Sequence, residues 1–129
     1  MIDRKTEEGL AALESAGNVD AVIDTCGYIP RVVALSARRL AARADRYVFV
    51  SSVSVYKNWP EEPCEESSPL ATLGDPTVEE VTGETYGALK VLCENAAAES
   101  FPGRALILRP GLIVGPEDPL ALGIVDLFQ

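Results

Sequence analysis

The sequence predicts an α/β protein built on about three parallel strands flanked by helices. Three short segments, "VDAVIDTCG", "RYVFVSSVSVY" and "ALILRP", open as apolar runs with no polar alternation. Strands of that kind are buried on both faces, which is the habit of parallel sheets. Helical patterns lie between them, as parallel connections require.

The elements follow in order. "TEEGLAALESAG" reads as a short helix with Leu10 and Leu13 inward and Gly17 as its stop. "VDAVIDTCG" is the first strand, rich in Val and Ile. "PRVVALSARRLAARA" reads as a helix with Pro30 in its first turn. Val33, Leu40 and several Ala face inward there, and Arg31, Arg38, Arg39 and Arg43 face out. "RYVFVSSVSVY" is the second strand and ends in serines. Residues 57–81 hold four of the nine prolines and many Glu, and form a long connection without an element of their own. A helix runs from about Glu84 to Ser100, stopped by Pro102 and Gly103. "ALILRP" is the third strand. "GLIVGPEDPLALGIVDLFQ" opens as a loop and closes as the stub of a helix.

Composition bounds the function. A chain of 129 residues, 47% hydrophobic, suits one domain with a modest core. Eleven Lys and Arg against twenty Asp and Glu give a net charge of −9. That balance repels phosphate backbones and anionic membranes, so nucleic acid and membrane are not expected partners. No stretch approaches the roughly 20 apolar residues of a membrane span, and "MIDRKTEEGL" has no apolar signal core. Cys26, Cys64 and Cys93 are odd in number and widely spaced. They predict free thiols and a cytoplasmic location rather than a disulfide framework. There is no His, so the commonest general base and metal ligand are missing. Glu61 to Glu66 read as solvated loop, and no metal site is expected.

The remaining chemistry gathers at the carboxyl ends of the strands, where open α/β sheets bind ligands. Strand one ends in "DTCG", strand two in "SSVSVY" and strand three in "RPGLIVGP". On the helix between strands two and three, "TGETYGALK" places Tyr86 and Lys90 four residues apart, on one face and one turn away from each other. A phenol with an ordinary pKa near 10 gives up its proton poorly at neutral pH, and a neighbouring ammonium favours the phenolate. Such a pair can serve as general acid and base where His is absent. A serine hydroxyl at the adjacent strand end can hydrogen-bond the same substrate oxygen. Each piece alone is ordinary: Tyr and Lys at that spacing are common on helix surfaces, and serines end strands by bonding their own backbone. The order of the pieces along a parallel sheet is what singles them out.

With "VDAVIDTCG", "YVFVSSVSVY", "YGALK" and "LRPGLIVGP" in that order, the chain resembles the extended short-chain dehydrogenase/reductase family, the NAD-dependent epimerase/dehydratase family, over most of residues 6–118. The resemblance implies a Rossmann-like, doubly wound sheet that binds NAD or NADP. It implies Ser52, Tyr86 and Lys90 as catalytic residues. It also implies Cys26, Gly27, Ser51, Tyr86, Lys90, Pro110 and Gly111 as cofactor-binding residues. Tyr86 would move a proton at a substrate hydroxyl, Lys90 would lower the Tyr86 pKa and hold the nicotinamide ribose, and Ser52 would polarise the substrate carbonyl. The implied substrate is a sugar nucleotide or a similar hydroxyl/keto compound. A homodimer paired through the helix bearing Tyr86 and Lys90 is implied as well.

Departures from the family pattern sharpen the expectation. Sugar dehydratases carry an Asp-Glu pair after the catalytic Thr, where this chain has Val53 and Ser54, which argues against a dehydratase. Lys57 stands where the usual Gly follows "VY". None of the ten glycines falls in a G-x-x-G-x-x-G or G-x-G-x-x-G spacing. Residues 1–129 are therefore expected to be one partial NAD(P)-binding domain, without the N-terminal Gly-rich half or a C-terminal substrate domain. "VDAVID" would then be an apolar edge strand. The alternative is a catalytically inactive family member acting as a binding or regulatory protein.

Overall fold

A computed structural model describes residues 4–15 and 17–113 of the chain. Helix α1 (Glu7–Ser15) leads to strand β1 (Val19–Asp24), helix α2 (Pro30–Leu40) and strand β2 (Ala44–Val50). A 3-10 turn (Val53–Val55), helix α3 (Tyr86–Ser100) and strand β3 (Ala105–Leu108) follow. The sheet is three-stranded, parallel throughout, in the order β1-β2-β3. The helix stub expected toward Gln129 lies outside the described residues.

Two boundaries differ from expectation, each for a local reason. The Ala-rich stretch after Leu40 was expected to continue α2, yet α2 stops there. The N–H of Ala41 turns back to the Arg38 carbonyl and that of Arg43 to Leu40. The Arg43 carbonyl is thereby free to accept from the N–H of Val19, and Ala44 pairs with Val19 to open the sheet. Strand pairing overrides the helix propensity of the alanines. Helix α3 opens at Tyr86 rather than Glu84. Thr82 and Thr85 cap one another, each backbone N–H donating to the other's hydroxyl at 2.9 and 3.2 Å. Residues 83–85 are held as a turn by that exchange.

The helices were expected on both faces of the sheet, but those described lie on one. Successive strands are neighbours, so both crossovers run the same way across the sheet. Right-handed crossovers in one direction leave their helices on one side. On that side Tyr47 and Phe49 of β2 pack with Val33, Ala37 and Leu40 of α2 and with Cys93 and Ala97 of α3. Phe101 closes the cluster, its ring centroid 4.9 Å from that of Tyr47. On the other side the alternate residues Ile23, Leu106 and Leu108 are 66%, 55% and 44% exposed. Strand β1 is an edge strand, as the sequence predicts, and its Ile23 and Val19 are among the exposed apolar residues.

The long connection after β2 is held to the body by an antiparallel bridge, Tyr56 to Leu70, and by Arg31 of α2, which donates to the Glu79 carboxylate at 2.8 and 3.0 Å. There the N–H of Ala71 donates to the Val55 carbonyl at 2.7 Å and that of Lys57 to the Pro69 carbonyl at 2.9 Å. No helix among the described residues is long and apolar enough to cross a membrane.

Candidate active site

The carboxyl ends of β2 and β3 are stitched together beyond the strands. The Ser51 N–H donates to the Leu108 carbonyl at 2.7 Å, and the Val53 N–H to the Pro110 carbonyl at 3.0 Å. These bonds bring the segment carrying Ser51 and Ser52 alongside that carrying Pro110 and Gly111. Ser52 also caps the 3-10 turn: its Oγ accepts the Ser54 N–H at 3.1 Å, and it donates to Ser54 Oγ at 3.1 Å. The strand-ending role open to a serine is thus real here, and it fixes where the hydroxyl sits.

Helix α3 reaches this corner because Gly87 has no side chain. A Cβ there would lie 2.0 Å from the Ser54 carbonyl oxygen, so only glycine lets the helix start against the 3-10 turn. The first turn of α3 then presents Tyr86 beside the strand ends and sends Lys90 beneath them. The Lys90 side chain is buried, and its Nζ donates to the Gly27 carbonyl at 2.9 Å and the Val50 carbonyl at 2.7 Å. The same ammonium lies over the Phe49 ring, 4.3 Å from its centroid, and 5.4 Å from that of Tyr28. Burial pulls the Lys90 pKa below the ordinary lysine value, against the opposing pull of Cys93, Asp24 and Glu94. Two of its three N–H donors are spoken for.

Gly27 explains itself by packing. A Cβ at Gly27 would meet Phe49 Cε2 at 2.3 Å and Val33 Cγ2 at 2.9 Å. The loop after β1 can therefore lie flat on the core and turn its carbonyl to Lys90.

Together these placements make one cleft of about 290 Å³. Six of the sequence-predicted residues line it: Ser51, Ser52, Tyr86, Lys90, Pro110 and Gly111. Ser51 is 95% buried as a residue and its Oγ is a buried polar atom with no partner among the described residues. Such an atom costs stability unless a ligand or solvent satisfies it. Thr25 and Tyr28 also line the cleft and were not foreseen. The only available signal for Tyr28 was an aromatic directly after the small residues "TCG" at a strand end.

Comparison with known proteins adds no identity at this point: no protein-family model, curated protein or solved structure matches the chain.

Two predicted cofactor residues stand apart from the cleft wall. Gly27 is buried and contributes its carbonyl through Lys90. Cys26 is exposed and does not line the cleft. Its N–H is taken by Asp24 Oδ1 at 3.1 Å, and its carbonyl accepts from Arg4 Nη2 at 3.0 Å. That local turn carries Cys26 to a separate cleft of about 230 Å³ shared with Arg4, Asp24 and Tyr47. Asp24 itself is buried and takes both Arg4 Nη1 at 2.6 Å and the Tyr47 hydroxyl at 2.8 Å. Burial, then the Asp24 charge, pushes the Tyr47 phenol well above its ordinary value.

A second brace holds the other side. Arg109 donates to Glu94 from two nitrogens, at 3.0 and 2.7 Å, and to the Tyr56 hydroxyl at 3.0 Å. The bidentate pair raises the Arg109 pKa and ties α3 to the end of β3. Tyr86, alone among the cleft-lining residues, also borders a larger cleft of about 640 Å³ on its far side.

Proposed function

We propose that this chain carries the catalytic corner of a nicotinamide-dependent reductase or epimerase of the extended short-chain dehydrogenase/reductase family. One observation supports it above the others. A parallel sheet gathers Ser52, Tyr86 and Lys90 at one cleft at the carboxyl ends of its strands, with Ser51, Pro110 and Gly111 beside them.

The residues fit the nicotinamide end of NAD or NADP. Ser51 Oγ is an unsatisfied buried hydroxyl in that cleft, and Lys90 has one N–H left for a ribose hydroxyl. The dinucleotide would supply or accept the hydride. The chain's own part is positioning and proton transfer. Tyr86 moves a proton at the oxygen of the reacting carbon. Lys90, one helical turn away and fixed on two carbonyls, places positive charge beside that oxygen. Ser52 Oγ, held by the Ser54 N–H, turns its one O–H from Ser54 Oγ to offer a hydrogen bond to the same oxygen as charge develops.

Calorimetric titration of the folded chain with NADH tests this. Saturable binding that weakens at least tenfold in Lys90→Met is the expected result. No binding to a sample with intact α/β circular dichroism overturns the reading for this chain. Under a purely binding or regulatory role, Tyr86→Phe leaves function untouched, whereas here it abolishes turnover.

A further inference from the structure

The face of the sheet opposite α2 and α3 is apolar and bare among the described residues. Register fixes its make-up. Ile23, Val48 and Leu106 are partners across the three strands, and Val50 and Leu108 are partners in the next row. Side chains two apart on a strand share a face, so these rows continue into Ala21 and its partner Arg46. Ile23, Leu106 and Leu108 are exposed, and Leu112 and Ile113 just beyond β3 are more exposed still. A continuous apolar patch of this kind marks an interaction surface. Arg46 is the only charged side chain in these rows. It makes no hydrogen bond or ion pair among the described residues.

The chain carries a segment suited to that face. Residues 114–129 lie outside the described residues. They include Glu117, Asp118 and Asp126 but no Lys or Arg, so they bring no like charge to Arg46. Leu120, Ile124, Leu127 and Phe128 recur at helical spacing, and Asp118-Pro119 is a helix-start signal. A helix over 119–129 would be about 16 Å long and about 10 Å wide. The three strand axes span about 10 Å, and β3, the shortest strand, runs about 13 Å. One helix is therefore enough to cover the apolar rows. Residues 114–117 reach up to about 13 Å, enough to bring the chain from Ile113 round onto the face. A helix entering from the carboxyl end of β3 and running back along the strands brings its last turn to the Arg46 row. The carbonyls left open at a helix end favour a cation there.

We propose that residues 119–128 of this chain dock on the bare sheet face as an amphipathic helix, with Ile124 and Phe128 against Ile23, Leu106 and Leu108 and the final turn at Arg46. Docking anchors the chain on both sides of residues 110–113, which line the cleft at the strand ends. The inference stands on the sheet alone and does not rest on the hydride-transfer reading.

Hydrogen exchange of the whole chain, read by mass spectrometry at two protein concentrations, tests it. Amides of residues 120–128 should exchange at least about tenfold more slowly than in an unstructured peptide, and equally at both concentrations. Leu106→Asp puts a charge under the helix at a position that faces solvent among the described residues. It should remove the protection of 120–128 and leave that of α2 intact. Leu106→Ala is the milder variant, with a partial loss expected in the same residues alone. Exchange of 120–128 at the peptide rate overturns the proposal. Protection that grows with concentration gives the face to a second copy and overturns it too. So does protection that survives Leu106→Asp, or a loss that both variants spread equally over 120–128 and α2.

Discussion

Gly27→Ala is the sharpest test of how the site is supported. The added methyl would sit 2.3 Å from Phe49 Cε2, where ordinary contact begins at about 3.4 Å, so the overlap exceeds 1 Å. The Phe49 ring cannot swing freely away: it is fully buried, with the Lys90 ammonium 4.3 Å from its centroid. Val33 Cγ2, 2.9 Å from the new methyl, closes a second direction. Overpacking of this kind costs about 1–3 kcal/mol. With about 2 kcal/mol and a urea m-value of about 2 kcal/mol/M, the unfolding midpoint falls by about 1 M. The Gly27 carbonyl that holds Lys90 is dragged along, so under the proposed function the variant is expected to bind NADH more weakly as well. Phe49→Leu removes the ring that the methyl meets. In the double variant the two costs should sum to about 1 kcal/mol more than is measured. Strict additivity in a urea double-mutant cycle, or a Gly27→Ala loss under 0.5 kcal/mol, refutes the reasoning.

Other perturbations give expectations of their own. Glu94→Gln strips Arg109 of its bidentate partner; because Arg109 reaches solvent, the loss should be about 2 kcal/mol, below the 3–5 kcal/mol of a fully buried pair, and a thermal melt unchanged by the variant contradicts it. Tyr47→Phe deletes one of the Asp24 hydrogen bonds while Arg4 and the Cys26 N–H remain, so chemical denaturation should show a loss of about 1 kcal/mol. Alkaline pH tests two buried groups with opposite signs. Burial pushes the Cys93 thiol from 9.0 up to about 12, so the thiol stays protonated in the fold while the unfolded chain ionises. Its contribution is intact below pH 9 and declines as pH rises toward 12, by about 3 kcal/mol at pH 11. Lys90 has a lowered pKa and acts in reverse, gaining stability as pH rises from its folded value toward the ordinary lysine value. The difference in pH slope between wild type and Cys93→Ala isolates the thiol, and parallel slopes between pH 9 and 11 would show it ionises as readily folded as unfolded.

How much of this was legible in the sequence depends on the range of the interaction that decides each feature. The three strands and the helices between them were readable because apolar runs and amphipathic spacing are local signals, and they put Tyr47, Phe49, Val33 and Leu40 in the core. The one-sided layering was not, because it follows from strand order: two like-handed crossovers in one direction leave Ile23, Leu106 and Leu108 without a helix. Six cleft residues were readable because each closes a strand or opens a helix, and strand ends in a parallel sheet converge. Cys26 sits at a strand end too, yet the carboxylate of Asp24 captures its N–H and turns it outward. That contact depends on Asp24 being held from two distant positions, Arg4 and Tyr47, and no spacing along the chain announces it. The same holds for Gly27 and Gly87. In sequence they are glycines beside a motif. In space each marks where a second segment passes too close for a methyl group, Phe49 in one case and the Ser54 carbonyl in the other. Which residues meet at the cleft was written in local order, then, while the rigidity of their arrangement comes from contacts that exist only once the chain has closed on itself.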